Sequence, residues 1–320
     1  MSFINSLNAV DKVEILTLAD NYIDLTAMDN SEIVSRGTPL TQDMVLTSSF
    51  LAEHGFSAVI KYVKKEAVRA IVFDFGLAWD IAARNADTSG VDLTEVEAAT
   101  LSHGHIDHFG GLAEVAKKIN RPGIEFVVHP SVFRTKRYVT TLTDFKLFQP
   151  QLERQQVETL GFRIIETRNP YPIMDGDVLF LGEIQRKTSF EKGMPNAFYE
   201  QDGQETWDPI EDDTGIAINL AGRGLVILSG CSHSGIINTV EHARNVTGAD
   251  KVHAVIGGFH LSGPFFEPII DETIRAMKEI NPDYVVPTHC TGRKATLAFE
   301  KAMPNQFILN MPGTKLTFSS

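Results

Sequence analysis

The sequence predicts an α/β chain in which two β-sheets pack face to face with helices on the outside. Three observations carry this reading: short β-rich apolar runs recur in two halves of the chain, helical spacing follows the runs of the second half, and histidines appear where apolar runs end. In the first half, residues 13–20 and 57–63 have strand composition, and 70–76 is a β-rich run stopped by glycine. The short apolar run 98–101 leads into Ser102-His103-Gly104-His105-Ile106-Asp107-His108-Phe109-Gly110-Gly111, after which Leu112 opens a helical pattern through Lys118. Strand-like runs follow at 125–129, 163–168 and 178–184. A longer, partly helical segment at about 131–161 lies between the first two and reads as an insertion. In the second half, 216–220, 225–229, 252–256 and 284–287 are strands, and 235–245, 267–280 and 294–303 have helical spacing. Asn281-Pro282 ends the second of these helices, because proline pushes its predecessor out of the α region. No linker or low-complexity tract interrupts the chain, so residues 1–320 read as one domain.

Composition narrows the function. The 320 residues are 43% hydrophobic and 22% charged, ordinary globular usage at a length that buries a core without staples. A net charge of −12 opposes non-specific attraction to nucleic acid or anionic membrane, and no basic, aromatic-rich arm is present for RNA or DNA processing. The N-terminus, Met1-Ser2-Phe3-Ile4-Asn5-Ser6, lacks the basic and apolar regions of a signal peptide. No apolar run reaches the length of a membrane span, and two cysteines do not make a disulfide framework. The expectation is a cytoplasmic enzyme with a small-molecule substrate and no nucleic-acid or membrane partner, in which a homodimer stays open.

The densest chemistry is at 103–108, where three of the ten histidines and one carboxylate fall within six residues. H-x-H-x-D-H suits metal binding, since imidazole nitrogens and a carboxylate oxygen can converge on one cation. A strand-to-helix loop lets those side chains turn inward without breaking a ladder. Three later histidines share the placement: His233 in Gly230-Cys231-Ser232-His233, His260 in Gly257-Gly258-Phe259-His260, and His289 in Pro287-Thr288-His289-Cys290, each just past an apolar strand. One such histidine alone is ordinary packing, but three beside H-x-H-x-D-H point to a site at the carboxyl ends of the strands. His242 and His253 lack this context and read as surface or packing residues. Cys290 reads as a small buried hydrophobe, while Cys231 is open between packing and metal contact.

Residues 52–57, 73–76, 101–112, 182–186, 190–191, 230–239, 257–261 and 289–292 together resemble the metallo-β-lactamase superfamily. Within it they resemble the 7,8-dihydropterin-6-methyl-4-(β-D-ribofuranosyl)-aminobenzene-5′-phosphate synthase-like subgroup. The resemblance implies an αββα four-layer sandwich with a dinuclear site along one edge of the two sheets. It implies that His103 and His105 bind one metal, that Asp107 and His108 bind the second, and that His289 completes the second site. It gives Asp74 the role of orienting the histidine loop. His233 is the candidate for the superfamily's middle histidine, with His129 the weaker choice, and Cys231 stands where a bridging aspartate is expected. The implied cofactor is two divalent metal ions, zinc foremost, with iron or manganese open; a thiolate ligand favours a soft metal.

Two cations about 3.5–4 Å apart can share a hydroxide as nucleophile. On that basis Asp107 orients the nucleophile, while His54 and His260 contact substrate or protonate the leaving group. Arg186 offers a planar fork to a phosphate or carboxylate. Arg134, Lys136 and Arg137 form either another anion group or an ordinary solvated helix face. The expected activity is metal-dependent hydrolysis of a small anionic substrate, a phosphate ester or phosphodiester. The alternatives are a metal-dependent synthase or lyase in pterin metabolism, and an iron redox or ligand-binding protein on the same scaffold.

Overall fold

Strands with apolar residues on both faces need cover on both, and the fold supplies it as alternating layers. The computed structural model describes residues 7–38, 43, 45–46, 48–143 and 145–320, so the six N-terminal residues considered for a signal peptide lie outside the described residues. Among the described residues the first sheet has eight strands, in the order Arg163–Glu166, Glu125–Val128, Val96–Thr100, Ala67–Phe73, Ser57–Lys64, Lys12–Ala19, Thr314–Ser319 and Val34–Arg36. The second is seven-stranded: Tyr171–Ile173, Val178–Phe180, Gly215–Leu220, Gly224–Ser229, Val252–Gly258 and Tyr284–Thr288, with Ala9–Val10 also paired to Gly215–Leu220. The last strand of the chain returns to the first sheet, antiparallel to Lys12–Ala19.

The two-residue period of a strand sorts its side chains between layers. Ile60, Ile71 and Phe73 of the first sheet pack with Ile216, Ile218, Val226, Leu228 and Ile256 of the second in a core between the sheets. Their neighbours Val59 and Val72 face outward, where they meet Ala82 and Ala86 of the Ile81–Ser89 helix and Leu112 and Val115 of the Leu112–Ile119 helix. On the far side Ala217, Ile227 and Val255 pack under the helices Ile236–Thr247, Ile270–Ile280 and Arg293–Ala302. Helix, sheet, sheet, helix is the expected αββα order. Asn281 closes the Ile270–Ile280 helix in the left-handed region at φ 53°, with Pro282 just beyond, a common helix stop. Among the described residues no helix is long and apolar enough to cross a membrane.

The 131–161 segment carries one short helix, Arg154–Thr159, and two strands, Arg137–Thr140 and Lys146–Phe148. These strands join Ala197–Gln201 and Gln204–Trp207 in a separate four-stranded sheet. The sequence reading passed over those strands because they are short and largely polar, and Leu147 and Phe148 face outward.

The strands that matter for chemistry run parallel: Ala67–Phe73, Val96–Thr100 and Glu125–Val128 in one sheet, and Gly224–Ser229, Val252–Gly258 and Tyr284–Thr288 in the other. Their carboxyl ends meet along one edge of the sandwich. Ile60→Ala in the core between the sheets should cost about 2–5 kcal/mol, whereas Val68→Ala, 61% exposed, should stay within about 0.5 kcal/mol. Thermal unfolding of the two variants checks this, and equal losses would contradict the assigned layers.

Candidate metal centre

All but one of the strands of that edge lead to polar residues turned toward the same point, Glu125–Val128 being the exception. Ala67–Phe73 is followed by Asp74, Val96–Thr100 by the loop to His103 and His105, and the short helix Ile106–Phe109 brings Asp107 and His108. From the second sheet, Gly224–Ser229 leads to Cys231 and His233, Val252–Gly258 to His260, and Tyr284–Thr288 to His289. Asp74, Ser232, His260 and His289 all have positive φ, between 45° and 58°, a conformation that costs non-glycine residues energy and clusters at functional sites.

Two donor sets result. In the first, His103 Nε2 lies 3.1 Å from His105 Nδ1 and 3.2 Å from His233 Nε2. In the second, His108 Nε2 lies 3.1 Å from Cys231 Sγ, and His289 Nε2 lies 3.1 Å from Asp107 Oδ2. Within each set all ligand atoms lie within 4.8 Å of one another. Nitrogen ligands of a tetrahedral cation at about 2.0–2.1 Å stand about 3.4 Å apart, so the first set is already near bonding geometry. The residues fit the implied cations. Three imidazole nitrogens turned toward one point are the lone-pair set that a single cation uses at once.

Close approach of the sheets at this point depends on a missing side chain. A Cβ on Gly230 would fall 2.0 Å from Ser102 Oγ and 2.9 Å from Asp74 Oδ2, so only glycine lets the second sheet's loop bring Cys231 against His108.

The surrounding hydrogen bonds aim the ring nitrogens. Asp74 is fully buried and accepts from Ser102 N and Ser102 Oγ, each at 2.7 Å, and from His108 Nδ1 at 2.6 Å. That leaves His108 Nε2 pointing at the cluster, the orienting role expected for Asp74. His289 is set the same way: Asn21 Oδ1 lies 3.2 Å from its Nδ1, and Asp20 Oδ1 accepts from its backbone N–H at 2.8 Å. Gly104, between His103 and His105, donates its N–H to Asp212 at 2.8 Å, and Asp212 is held by Arg137 Nη1 at 2.7 Å. Sequence reasoning missed Asp20, Asn21, Ser102 and Asp212. The first two were within reach of the rule used for the histidines, since they directly follow the Lys12–Ala19 strand.

Electrostatics separates the two sets. Burial, reinforced by neighbouring rings, pushes the His103 and His233 pKa values well below the ordinary range, and burial with the nearby Arg137 charge lowers His105 to about 4, so this set is neutral and offers lone pairs. His108 goes the other way. Burial opposes its charge, but Asp74 and Asp107 outweigh it and raise the pKa to about 9. Burial also opposes ionisation of Asp107, yet His108 and His289 hold it well below the usual carboxylate range. Burial pushes the Cys231 thiol up, so this residue becomes a thiolate only when a cation displaces its proton.

Other expected site residues take different places. His54, with 62% of its side chain exposed, sits at the rim, Nε2 3.8 Å from Asp107 Oδ2 and Nδ1 bonded to Asn21 Nδ2 at 3.0 Å. His260 packs on His233, ring centroids 4.2 Å apart, and lines a cleft of about 580 Å³ beside the cluster. Arg186 lies behind the His233 loop, where its Nη2 donates to the carbonyls of Pro209 and His233. His129 is outside the cluster, its Nδ1 accepting from Ser131 N at 3.1 Å. Neither reading of the basic trio holds. Arg134 and Arg137 are paired internally with Asp208, Glu211 and Asp212, Arg137 is only 3% exposed, and Lys136 alone faces solvent. Long-range pairing with acids some 75 residues away consumes both guanidinium groups, and none of the three is on a helix: Arg137 opens a strand, and Arg134 and Lys136 lie in the turn before it.

The layered fold and the histidine–aspartate edge define a class, and the chain belongs to it: the model of the metallo-beta-lactamase superfamily matches residues 62–289. More particularly, the chain is similar to the 7,8-dihydropterin-6-methyl-4-(β-D-ribofuranosyl)-aminobenzene-5′-phosphate synthase of Methanocaldococcus jannaschii, 31% identical over 307 residues covering 94% of this chain and 95% of that protein. An uncharacterized protein of the same organism is 32% identical over 257 residues, 79% of this chain and 90% of its own length. Among solved structures, Tm1679, a metal-dependent hydrolase of the β-lactamase superfamily, aligns with a TM-score of 0.70 at 23% identity, over 96% of this chain and all (100%) of that one. The metallo-β-lactamase fold protein YhfI from Bacillus subtilis aligns at 0.52 with 10% identity, over 96% and 100%. These two likenesses concern the fold. The expected family, subgroup likeness and sandwich are borne out.

Two predictions follow from the supports of the centre. Asp74→Asn weakens the hold on His108 and should lower metal affinity about 10–100-fold in equilibrium titration, an unchanged affinity contradicting the orienting role. The second concerns Glu191, which lines the cleft and accepts from the N–H groups of Ile237 and Asn238, each at 2.9 Å. Burial raises its pKa to about 7 from an ordinary 4.5. A raised pKa means that the stability from this group is fully present below 4.5 and lost as pH rises through 7. Glu191→Gln, which mimics the protonated form, should therefore gain on the wild type in melting temperature across that window, and a constant difference would refute the assignment.

Proposed function

We propose that this chain is a metal-dependent enzyme of the synthase kind, joining a pterin-bearing methyl carbon to an aromatic amine on a phosphate-bearing partner. One observation carries the reading. The donor cluster opens through His233 and His260 onto the cleft of about 580 Å³, walled by Phe190, Trp207, Phe265 and Phe266 with Lys192 beside them. Aromatic walls accept flat rings, and a lysine accepts an anionic group. The likeness to the M. jannaschii synthase over nearly the whole of both chains supports it, since that protein's named product carries a pterin and a ribofuranosyl phosphate.

In this reading two divalent cations are held, zinc foremost and iron or manganese as alternatives. His103, His105 and His233 hold one; Asp107, His108 and His289, with Cys231, hold the other. Such cations supply Lewis acidity to the oxygens of a leaving ester. The aromatic cleft fixes the ring and excludes water around it. The amine nitrogen bonds to the methyl carbon while the carbon–oxygen bond of the activated ester breaks, the leaving oxygen keeping the electron pair. His54, open to solvent and 3.8 Å from Asp107 Oδ2, accepts the amine proton, while Asp107 stays ionised and orients the amine. Arg186 braces the His233 loop from behind, and the substrate's anionic end meets Lys192.

Hydrolysis of a phosphate ester or phosphodiester is the second reading, favoured by the solvent exposure on the His54 side, where water could take the place of the amine. The two separate in one assay. Metal-loaded full-length protein receives a 7,8-dihydropterin with an activated ester on its 6-methyl carbon, together with an aminobenzene bearing the ribofuranosyl 5′-phosphate. Mass spectrometry should find the coupled product, with kcat lowered about 10²–10⁴-fold by Asp107→Asn. Release of the pterin alcohol regardless of the amine would put hydrolysis in its place. No turnover with zinc, iron or manganese would sink both.

A further inference from the structure

Cys231 and His233 belong to different donor sets, yet a third side chain stands within reach of both. Cys231 Sγ and one ring nitrogen each of His233 and His260 lie within 4.8 Å of one another. His260 arrives from the Val252–Gly258 strand with φ at 45°. Its ring is fixed between His233, 4.2 Å away, and the edge of Phe266, 4.5 Å away at 87°. Nothing about packing requires a histidine there.

The ring nitrogens make the stronger case. A buried histidine that only packs has its nitrogens bonded, and three others in this chain do: His129 Nδ1 accepts from Ser131 N, His242 Nε2 meets Leu181 O at 3.0 Å, and His253 Nδ1 meets Asp283 at 2.7 Å. His233 Nδ1 and His260 Nδ1 are buried with no partner. They adjoin a buried thiol whose backbone is pinned, Cys290 Sγ donating to Cys231 O at 3.4 Å. Gly258 makes room for that contact, since a Cβ there would stand 2.5 Å from Cys290 Sγ and 2.6 Å from Gly230 O.

We propose that Cys231, His233 and His260 form a third cation position, selective for a thiophilic divalent cation and contiguous with the two donor sets already described. The proposal rests on the reading of the cluster as a metal centre. One sulfur and two imidazoles suit zinc, cobalt(II) or cadmium and discriminate against manganese and magnesium, which prefer oxygen. On binding, the Cys231 S–H bond breaks, its proton leaves to solvent and the sulfur electron pair goes to the cation. Because Cys231 is shared, filling this position withdraws its sulfur from the Asp107, His108 and His289 set. A thiophilic ion here and a fully coordinated second set therefore exclude one another, and the identity of the cation decides where it sits.

The test is a titration of metal-stripped, full-length protein with cobalt(II), followed by the thiolate-to-cobalt charge-transfer absorption and by calorimetry, with manganese(II) in parallel. The charge-transfer band should appear with the first equivalent of cobalt and vanish in Cys231→Ser. His260→Gln, and independently His260→Ala, should weaken that first equivalent about tenfold or more while leaving manganese affinity within about twofold. Asp107→Asn should not move it. First-equivalent binding unchanged in both His260 variants, or sulfur absorption only from the second equivalent, would remove the third position and leave the two-set centre standing. Failure of both cobalt and manganese to bind the wild type would overturn the metal-centre reading itself.

Discussion

The Asp74 carboxylate is the point on which the site hangs. It is fully buried at the end of a central strand of the first sheet, and it accepts hydrogen bonds from the backbone and hydroxyl of Ser102 and from the ring of His108. A buried carboxyl group of this kind is stable only when its lone pairs are used, and the three donors that use them all belong to the 102–108 loop that carries His103, His105 and His108. The same bonds that make the carboxylate tolerable therefore fix the loop. Gly230 extends the dependence to the second sheet, because its bare Cα comes to rest against the Ser102–Asp74 pair.

The centre belongs to neither sheet. One contributes His103, His105, Asp107 and His108, the other Cys231, His233 and His289, so the two donor sets that draw on both sheets exist only once the inter-sheet core has closed. Folding and cation affinity are then linked: a ligand that binds only the docked sheets adds its binding free energy to the stability of that docking. It also explains why strained backbone persists at Asp74, Ser232, His260 and His289. The layers on either side over-determine those conformations.

Much of this was legible in the sequence, and what was not has a common physical cause. Strands buried on both faces announce themselves as apolar runs, and a histidine just past such a run has few structural reasons to be there, so the layered fold and His103, His105, His108, His233, His260 and His289 could be read locally. The four-stranded sheet could not, because Gln204–Trp207 and Lys146–Phe148 are exposed and bury no stripe that would mark them. Thr314–Ser319 does bury every second residue, and its pattern was readable but passed over. Arg134 and Arg137 look like a surface cluster in one dimension. Their partners Asp208, Glu211 and Asp212 are supplied only by the folded chain, and charge pairing over such a distance leaves no local trace.

That same final strand ties distant stretches of the chain to the site. Leu316 pairs with Ile15 and with Val34, so Thr314–Ser319 stands between Lys12–Ala19 and Val34–Arg36 in the first sheet. Lys12–Ala19 runs directly into Asp20 and Asn21, which hold the backbone and ring of His289. A fault in a strand that touches no donor of the cluster therefore reaches His289 through one shared neighbour.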